Sequence, residues 1–552
     1  MPAAPREASA PGAPSAPYAA PLSRLDLVGL AAVAALARTF DLGTFSLWLD
    51  EFLLMMQAQG GPRDVWRACR SDVEHPPLAA LVTAAGNALG VSDTGQRLVP
   101  IALGIATVLL LARWTARRLG RAAGIGAGLF AALLPFAVHY SQELRPYPYL
   151  LFFAAATLAA VDRVVDRPGR SSTALLALTL LLGLYAHDLF VLVLAPAGLP
   201  LLEMALARDP ERRRTGRRAL RDLALAGAIA LAGFLPWVSA LLGIAHLPPA
   251  GFVRPWTWRA AAVRWEFLTV AGVEGDLLTW AGALALGLAA LGLLALWVRG
   301  PRDVARAITV GALLGAVGVE GFLLADHHWT AGRYDAVGWL FLPPLVGAGF
   351  GLLWRSRPLR PLAVAALAAL LLGEVAGLAR YARIARPDWD RVAADVRRAH
   401  RPGDPVLVEN EWTRICLAYY LQGRDFDRRR GEDLAPVPVE GGIAALPRLW
   451  PAERAATLVL AASPKQRELR AWAWSFPLLG RYPRSMEARA HRLTPEVRQA
   501  LCASGRCAAG PAGPGVPAAA PAPGDAEAQA VPATRVTAWL WRLERLGGRY
   551  ER

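Results

Sequence analysis

The sequence predicts a polytopic α-helical membrane protein of about eleven transmembrane helices with a small α/β domain after them. Three observations carry this expectation. Apolar stretches of Leu, Ala, Val and Gly recur from residue 25 to residue 378 and then stop. Hydrophobic residues make up 55% of the chain and charged residues 19%, below the roughly 25% of an ordinary soluble domain. Arginines gather in alternate loops between the apolar stretches. A mean hydropathy of +0.32 excludes a disordered chain and argues against an all-soluble enzyme. The 552 residues hold 60 Lys and Arg against 44 Asp and Glu, a net +16. That excess is spread over both parts of the chain, so no nucleic-acid partner is expected. Lys465 is the only lysine, and the arginine preference reads as GC-rich coding with little functional weight.

Residues 1–24, rich in Ala and Pro, form a disordered tail. Leu25 to Phe40 is a first span rather than a signal peptide, because it lacks a small-residue cleavage site and many apolar segments follow. Further spans are expected over 98–113, 122–138, 147–162, 172–186, 189–206, 219–242, 279–298, 305–325, 337–354 and 361–378. Five arginine clusters separate them: Arg113 to Arg121, Arg163 to Arg170, Arg208 to Arg221, Arg299 to Arg306, and Arg355 to Arg360. Placing all five in the cytoplasm satisfies the positive-inside rule. The N-terminus is then cytoplasmic, and residues 379–507 form an extracytoplasmic α/β domain of a cytoplasmic-membrane protein. Counting Pro76–Gly90 as a span would invert every later loop, so it is expected to lie in or dip into the outer interface.

Beyond Arg380 the pattern changes. Trp389–His400 reads as an amphipathic helix, Pro405–Val408 and Thr457–Ala461 as strands, and Gln466–Trp474 as helical. A Pro/Ala/Gly-rich linker covers 508–533, and a strand-like segment falls in 534–552. In an extracytoplasmic domain Cys502 and Cys507 are close enough in sequence to close a small disulfide loop, whereas Cys69 and Cys416 are not paired by spacing.

This topology collects the unusual polar residues in the outer loops: Asp50-Glu51, His75-Pro76-Pro77, the run Tyr140 to Tyr147, His187-Asp188, and Asp326 to Tyr334. Glu320 and Glu374 fall near the outer ends of spans. Ionisable groups at membrane depth are costly and usually line a cavity or pair with one another, so convergence on one side implies an outward-facing polar site. Each group also has a plainer reading. Asp50-Glu51 fits a helix N-terminus, His75-Pro76-Pro77 a turn that starts a helix, and His187-Asp188 a cap between two spans. His327 and His328 are adjacent on a loop without a recognised ligand spacing, so no metal site is expected.

The residues then show a resemblance. Trp48-Leu49-Asp50-Glu51, His75-Pro76-Pro77-Leu78, Arg97-Leu98-Val99-Pro100, Arg117-Arg118-Leu119-Gly120 and Tyr140-Ser141-Gln142-Glu143-Leu144-Arg145-Pro146-Tyr147 occur in that order, followed by Arg333-Tyr334. Over residues 25–378 the chain resembles the GT-C glycosyltransferases, in particular family 39-like proteins related to protein O-mannosyltransferases and aminoarabinose transferases. The resemblance implies an inverting enzyme that moves a sugar from a polyprenyl-phosphate carrier to an acceptor hydroxyl outside the cytoplasm. Val99-Pro100 and Leu144 depart mildly from the family pattern. His75 stands where aminoarabinose transferases carry Lys, so their sugar is not carried over.

On this reading the partners are membrane lipids, a polyprenyl-phosphate-linked sugar and an acceptor that is a lipid, a polysaccharide or a protein. Asp50 is the expected general base, with Glu51 in reserve. Arg97, Arg145 and Arg333 are candidates to hold the departing phosphate, because a guanidinium stays charged and can bind two phosphate oxygens. His75 supplements them as a polar or cationic group. Gln142, Glu143 and Tyr334 complete the substrate site, Glu143 either orienting Arg145 or binding sugar hydroxyls. With several arginines facing a monophosphate, neither cofactor nor divalent metal is expected. The competing reading is a transporter or flippase of a lipid-linked substrate, although no internal repeat is visible.

Overall fold

A computed structural model describes residues 21–43, 46–71, 75–244, 279–315, 336–382, 389–400, 406–408, 411–424, 436–438, 456–462 and 487–493. The first helix, α1 (Arg24–Thr39), starts at a capping box. The Ser23 hydroxyl accepts from the Asp26 amide at 3.1 Å, and the Ser23 amide donates to the Asp26 carboxylate at 2.8 Å. Four short helices follow on one face of the bundle: α2 (Leu49–Gln57), α3 (Pro62–Ser71), α4 (Leu78–Ala88) and α5 (Asp93–Gln96). At 11 residues α4 rises only about 16 Å, half the hydrocarbon thickness. At that length α4 falls short of a crossing.

The membrane bundle continues with α6 (Leu98–Leu119), α7 (Arg121–Leu133), α8 (Pro135–Ser141), α9 (Tyr147–Asp166), α10 (Arg170–Ala186), α11 (Leu194–Ala205) and α12 (Pro210–Ile244). It is completed by α13 (Thr279–Arg299), α14 (Arg302–Leu313), α15 (Ala336–Trp339), α16 (Leu342–Arg355) and α17 (Arg360–Ala382). Among the described residues seven helical segments are long and apolar enough to cross a membrane, and α7 with α8 makes an eighth if the bent pair counts as one span. With 16 and 17 residues, α1 and α10 are shorter, and residues 316–325 of the span expected over 305–325 lie outside the described residues.

One expected span differs in shape. Residues 122–138 do not run straight but break at Leu134, and α8 leaves α7 at 59°. Proline has no N–H to continue the helix ladder and its ring displaces the preceding turn, so Pro135 ends one helix and begins the next.

All five arginine clusters meet at one end of the bundle. Arg121 holds Asp26 at 2.8 and 2.7 Å, tying the start of α7 to the start of α1. Arg118 pairs with Asp162 and, at 3.5 Å, with Asp303. Arg306 reaches Glu203 at 2.9 Å, and Arg355 donates to the Leu119 carbonyl at 3.0 Å. The main core is aromatic and small-residue packing between helices, with Phe130, Phe136, Tyr147, Trp339 and Phe341 sealed from solvent. Close approach of α13 and α16 depends on small residues. A side chain on Gly292 would strike the Leu345 carbonyl, and one on Gly349 the Leu288 carbonyl.

After the bundle come α18 (Trp389–Ala399), β1 (Val406–Val408), α19 (Glu411–Gln422), β2 (Pro436–Pro438), β3 (Ala456–Ala462) and β4 (Glu487–Leu493). The sheet order is β2-β1-β3-β4, with β1 parallel to both β2 and β3, and β3 antiparallel to β4. Both expected strands and the helix from Trp389 are present, while α19, β2 and β4 were not anticipated. The segments 466–474 and 534–552, the linker and Cys502 and Cys507 lie outside the described residues. Cys69 and Cys416 are both buried.

The helix bundle and the C-terminal elements share a second apolar core. Phe52, Met55, Val65 and Leu144 pack in one cluster with Trp389, Val396, Val408 and Leu417. Polar contacts rim this seam. The Tyr420 hydroxyl accepts from the Leu47 amide at 2.9 Å, Tyr419 donates to Asp93 at 2.7 Å, and the Ser46 hydroxyl lies 2.6 Å from the Asp390 carboxylate. Arg424 donates to Asn87 at 2.6 Å, to the Val91 carbonyl at 2.6 Å and to Asp93 at 3.1 Å. Burial pushes the Tyr419 and Tyr420 hydroxyls and the Cys416 thiol upward in pKa, keeping all three protonated at this interface.

Candidate active site

Two neighbouring carboxylates at the start of α2 face different partners. Glu51 occupies the third helical position, and its Oε2 accepts from the Trp48 amide at 3.2 Å. Arg97, just before α6, grips it with Nε on Oε1 at 3.0 Å and Nη2 on Oε2 at 2.7 Å. The Leu144 amide donates to Oε1 at 2.9 Å. Four donors therefore fill two oxygens, and the Glu51 and Arg97 side chains are 0% and 2% exposed. Arg97 Nη2 also reaches the Ser46 carbonyl at 3.3 Å. This arrangement joins the α2 start, the α6 start and the Tyr140–Tyr147 run.

Asp50 turns the other way. Its Oδ2 lies 3.3 Å from Arg145 Nη2, and Arg145 Nη1 donates to the Asp50 carbonyl at 3.2 Å. Arg145 Nη2 is also 3.2 Å from His75 Nε2. A guanidinium can only donate, so His75 accepts through Nε2 and carries its proton on Nδ1. His75 in this position is a neutral imidazole; the cationic alternative would place two positive donors in contact. The Asp50 side chain is 15% exposed and that of Arg145 only 3%.

Histidines and tyrosines back this group. The His75 ring is 4.7 Å from that of His187 and 6.1 Å from that of Tyr147, and Tyr147 is 5.1 Å from His187. His187 caps the short 3-10 turn Asp188–Val193, its Nδ1 accepting from the Leu189 amide at 3.2 Å. Its Nε2 therefore carries the hydrogen. Glu143 lies 3.1 Å from His139 Nε2 and is buried with it.

The bend at Pro135 makes this assembly possible, because α8 brings Tyr140, Ser141 and Gln142 beneath it. Gln142 Nε2 spends both hydrogens on the carbonyls of Arg38 and Phe40, each at 3.0 Å. Arg38, sealed inside the bundle, donates to Ser141 Oγ at 3.1 Å, to the Ala132 carbonyl at 2.9 Å and to the Ala131 and Ala34 carbonyls at 3.3 Å. It satisfies the carbonyls that the break in α7 leaves open.

Asp50, Glu51, His75, Arg97, Gln142, Glu143 and Arg145 thus converge, whereas Arg333 and Tyr334 lie outside the described residues. Gln142 sits within the site, its amide nitrogen donating to backbone carbonyls. Arg38 and His139 add to the expected residues, and His187, expected in the same polar group, stands beside His75. An arginine in an apolar span is itself a signal, since such a charge persists only when it has partners. Among the described residues no cluster of three or more His, Cys, Asp or Glu side chains has metal-site geometry.

Comparison with known structures places this architecture. ArnT from Cupriavidus metallidurans in the apo state matches with a TM-score of 0.50 and 15% identity, covering 79% of this chain and 93% of that one. The fold is that of the GT-C glycosyltransferases. The same ArnT bound to undecaprenyl phosphate matches with a TM-score of 0.48 at 14% identity, over 79% and 93% of the two chains. The oligosaccharyltransferase of Archaeoglobus fulgidus, in complex with zinc and sulfate, gives 0.45 at 11% identity, over 72% of this chain and 61% of that one. The family described as dolichyl-phosphate-mannose-protein mannosyltransferase matches residues 74–239, from just before His75 into α12. No curated protein matches the chain. Within the GT-C bundle the Asp50–Arg145 group lies at the end of α6 and α9 opposite the arginine clusters, about 30 Å away along α6 between Arg97 and Arg117.

Proposed function

We propose that the protein is an inverting glycosyltransferase that moves a hexosyl or pentosyl group from a polyprenyl-phosphate carrier to an acceptor hydroxyl on the outer side of the cytoplasmic membrane, with Asp50 as general base. One observation carries this reading. Of the two carboxylates at the α2 start, Glu51 has every oxygen position filled, while Asp50 is partly exposed and touches a buried arginine.

In the reaction the acceptor oxygen attacks the anomeric carbon and its proton passes to an Asp50 oxygen. The bond from that carbon to the carrier phosphate breaks, and its electron pair leaves on the phosphate oxygen. Arg145 stands beside Asp50, so the group that receives the phosphate charge adjoins the group that takes the proton. A preorganised guanidinium of this kind stabilises charge as it develops. Arg333 is a second phosphate ligand on this reading, and Tyr334 a wall of the sugar site. Glu51 and Arg97 act as a buried brace that fixes the angle of α2 and of the Tyr140–Tyr147 run. Neutral His75 steers Arg145 through its Nε2 acceptor. Glu143 and His139 support the same run, and Gln142 clasps it to the end of α1. The family match over 74–239 and the undecaprenyl phosphate of the ArnT structure are in keeping with a polyprenyl-linked donor.

The test supplies purified protein with polyprenyl-phosphate sugars and follows release of the carrier phosphate. Asp50→Asn is expected to lower turnover by roughly 10²–10⁴ while donor binding persists. Turnover equal to the native protein would remove Asp50 from the role. Turnover is expected to continue after treatment with a chelator, and its loss would assign the phosphate charge to a divalent ion.

A further inference from the structure

We propose that a groove between α6, α9 and α10, at the arginine-rich end of the bundle, holds the headgroup phosphate and upper chains of an anionic phospholipid. The groove encloses about 790 Å³. Its walls are apolar, with Leu110, Phe152, Ala156 and Leu175 facing the space. Its mouth carries Arg113, Arg117, Arg163 and Arg167 with a single acid, Asp166.

Some arginines at this end are matched within the protein. Arg118, Arg121 and Arg306 each meet a carboxylate. Here Arg117 takes Asp166, and the guanidinium groups of Arg113, Arg163 and Arg167 have no protein partner among the described residues. Three uncompensated cations above an apolar slot in a membrane protein fit a ligand with a phosphate at one end and hydrocarbon at the other. Basic pockets between transmembrane helices hold anionic headgroups by the same combination. A zwitterionic lipid brings its own cation to the mouth and gains less. The groove lies at the end of α6 and α9 remote from Asp50 and Arg145, so the inference stands apart from the proposed reaction.

The test titrates detergent-solubilised protein with phosphatidylglycerol and, separately, phosphatidylcholine, counting bound lipid by native mass spectrometry. Phosphatidylglycerol is expected to be retained in preference. Each guanidinium near a lipid headgroup contributes about fivefold in affinity, so the triple replacement of Arg113, Arg163 and Arg167 by Gln should weaken it roughly a hundredfold. Ala156→Phe fills the slot without altering charge and should also displace the lipid. Equal retention of the two lipids, or unchanged binding in the triple variant, would overturn the proposal. Unchanged binding in Ala156→Phe would overturn it as well, by assigning the attraction to surface charge alone. Competition by glycerol phosphate as strong as that of the whole lipid would show that the apolar walls take no part.

Discussion

Arg97 and Glu51 form a two-point ion pair, Nε to Oε1 at 3.0 Å and Nη2 to Oε2 at 2.7 Å, in which neither side chain reaches solvent. Two backbone amides complete the carboxylate's shell. Such a pair is costly to break because removing one charge strands the other.

Glu51→Gln is therefore expected to destabilise the protein by about 3–5 kcal/mol, read as a lower thermal midpoint in detergent. Replacing both partners, with Glu51→Leu and Arg97→Met, should cost less than the two single losses added together. A Glu51→Gln protein with native stability and no turnover would instead give Glu51 a chemical role.

Arg145→Lys keeps a positive charge but not the fork that reaches the Asp50 carboxylate, the Asp50 carbonyl and His75 together. A fall in kcat by roughly 10²–10³ is expected, with a smaller change in KM, measured by release of the carrier phosphate. A change confined to KM would mean that Arg145 only binds the donor.

Gly104 sits where α6 crosses the α8 end. A methyl there would collide with Ser141 Oγ and come within 2.9 Å of Arg38 Nε. Gly104→Ala should displace the Arg38 clasp on the open carbonyls of α7 and lower the thermal midpoint, even though alanine favours a helix over glycine. A raised midpoint would show that the clasp can shift freely.

Across the seam Tyr419→Phe removes the hydrogen bond to Asp93, and Arg424→Ala removes those to Asn87, the Val91 carbonyl and Asp93. At about 1 kcal/mol for each well-made bond, Arg424→Ala should speed hydrogen exchange in α5 and α19 more than Tyr419→Phe does. Equal rates in both variants would place the strength of the seam in its apolar part alone.

Much of this organisation was legible in the sequence, and the reasons differ by residue. The apolar stretches and arginine clusters report one-dimensional patterns, which is why the five clusters end together. Asp50 and Glu51 are indistinguishable as neighbouring acids. Only the direction of the first turn of α2 sends one to Arg97 and the other to Arg145. Pro135 marks the break in α7, whereas continuous hydropathy through 122–138 reads as one straight span. Arg38 was legible as a charge in a span, but its partners are carbonyls freed by that break and carry no sequence mark. Strand β2 is bounded by Pro436 and Pro438, which speak against a strand in sequence; as an edge strand it tolerates them.

The apolar seam between Phe52, Met55 and Leu144 and the later helices has a practical corollary for anyone trimming the gene. A product ended near residue 378 would bare greasy surface beside Phe52 and Leu144 and is expected to clump on extraction. Through that seam α18 and α19 are part of the bundle's own packing rather than a detachable accessory.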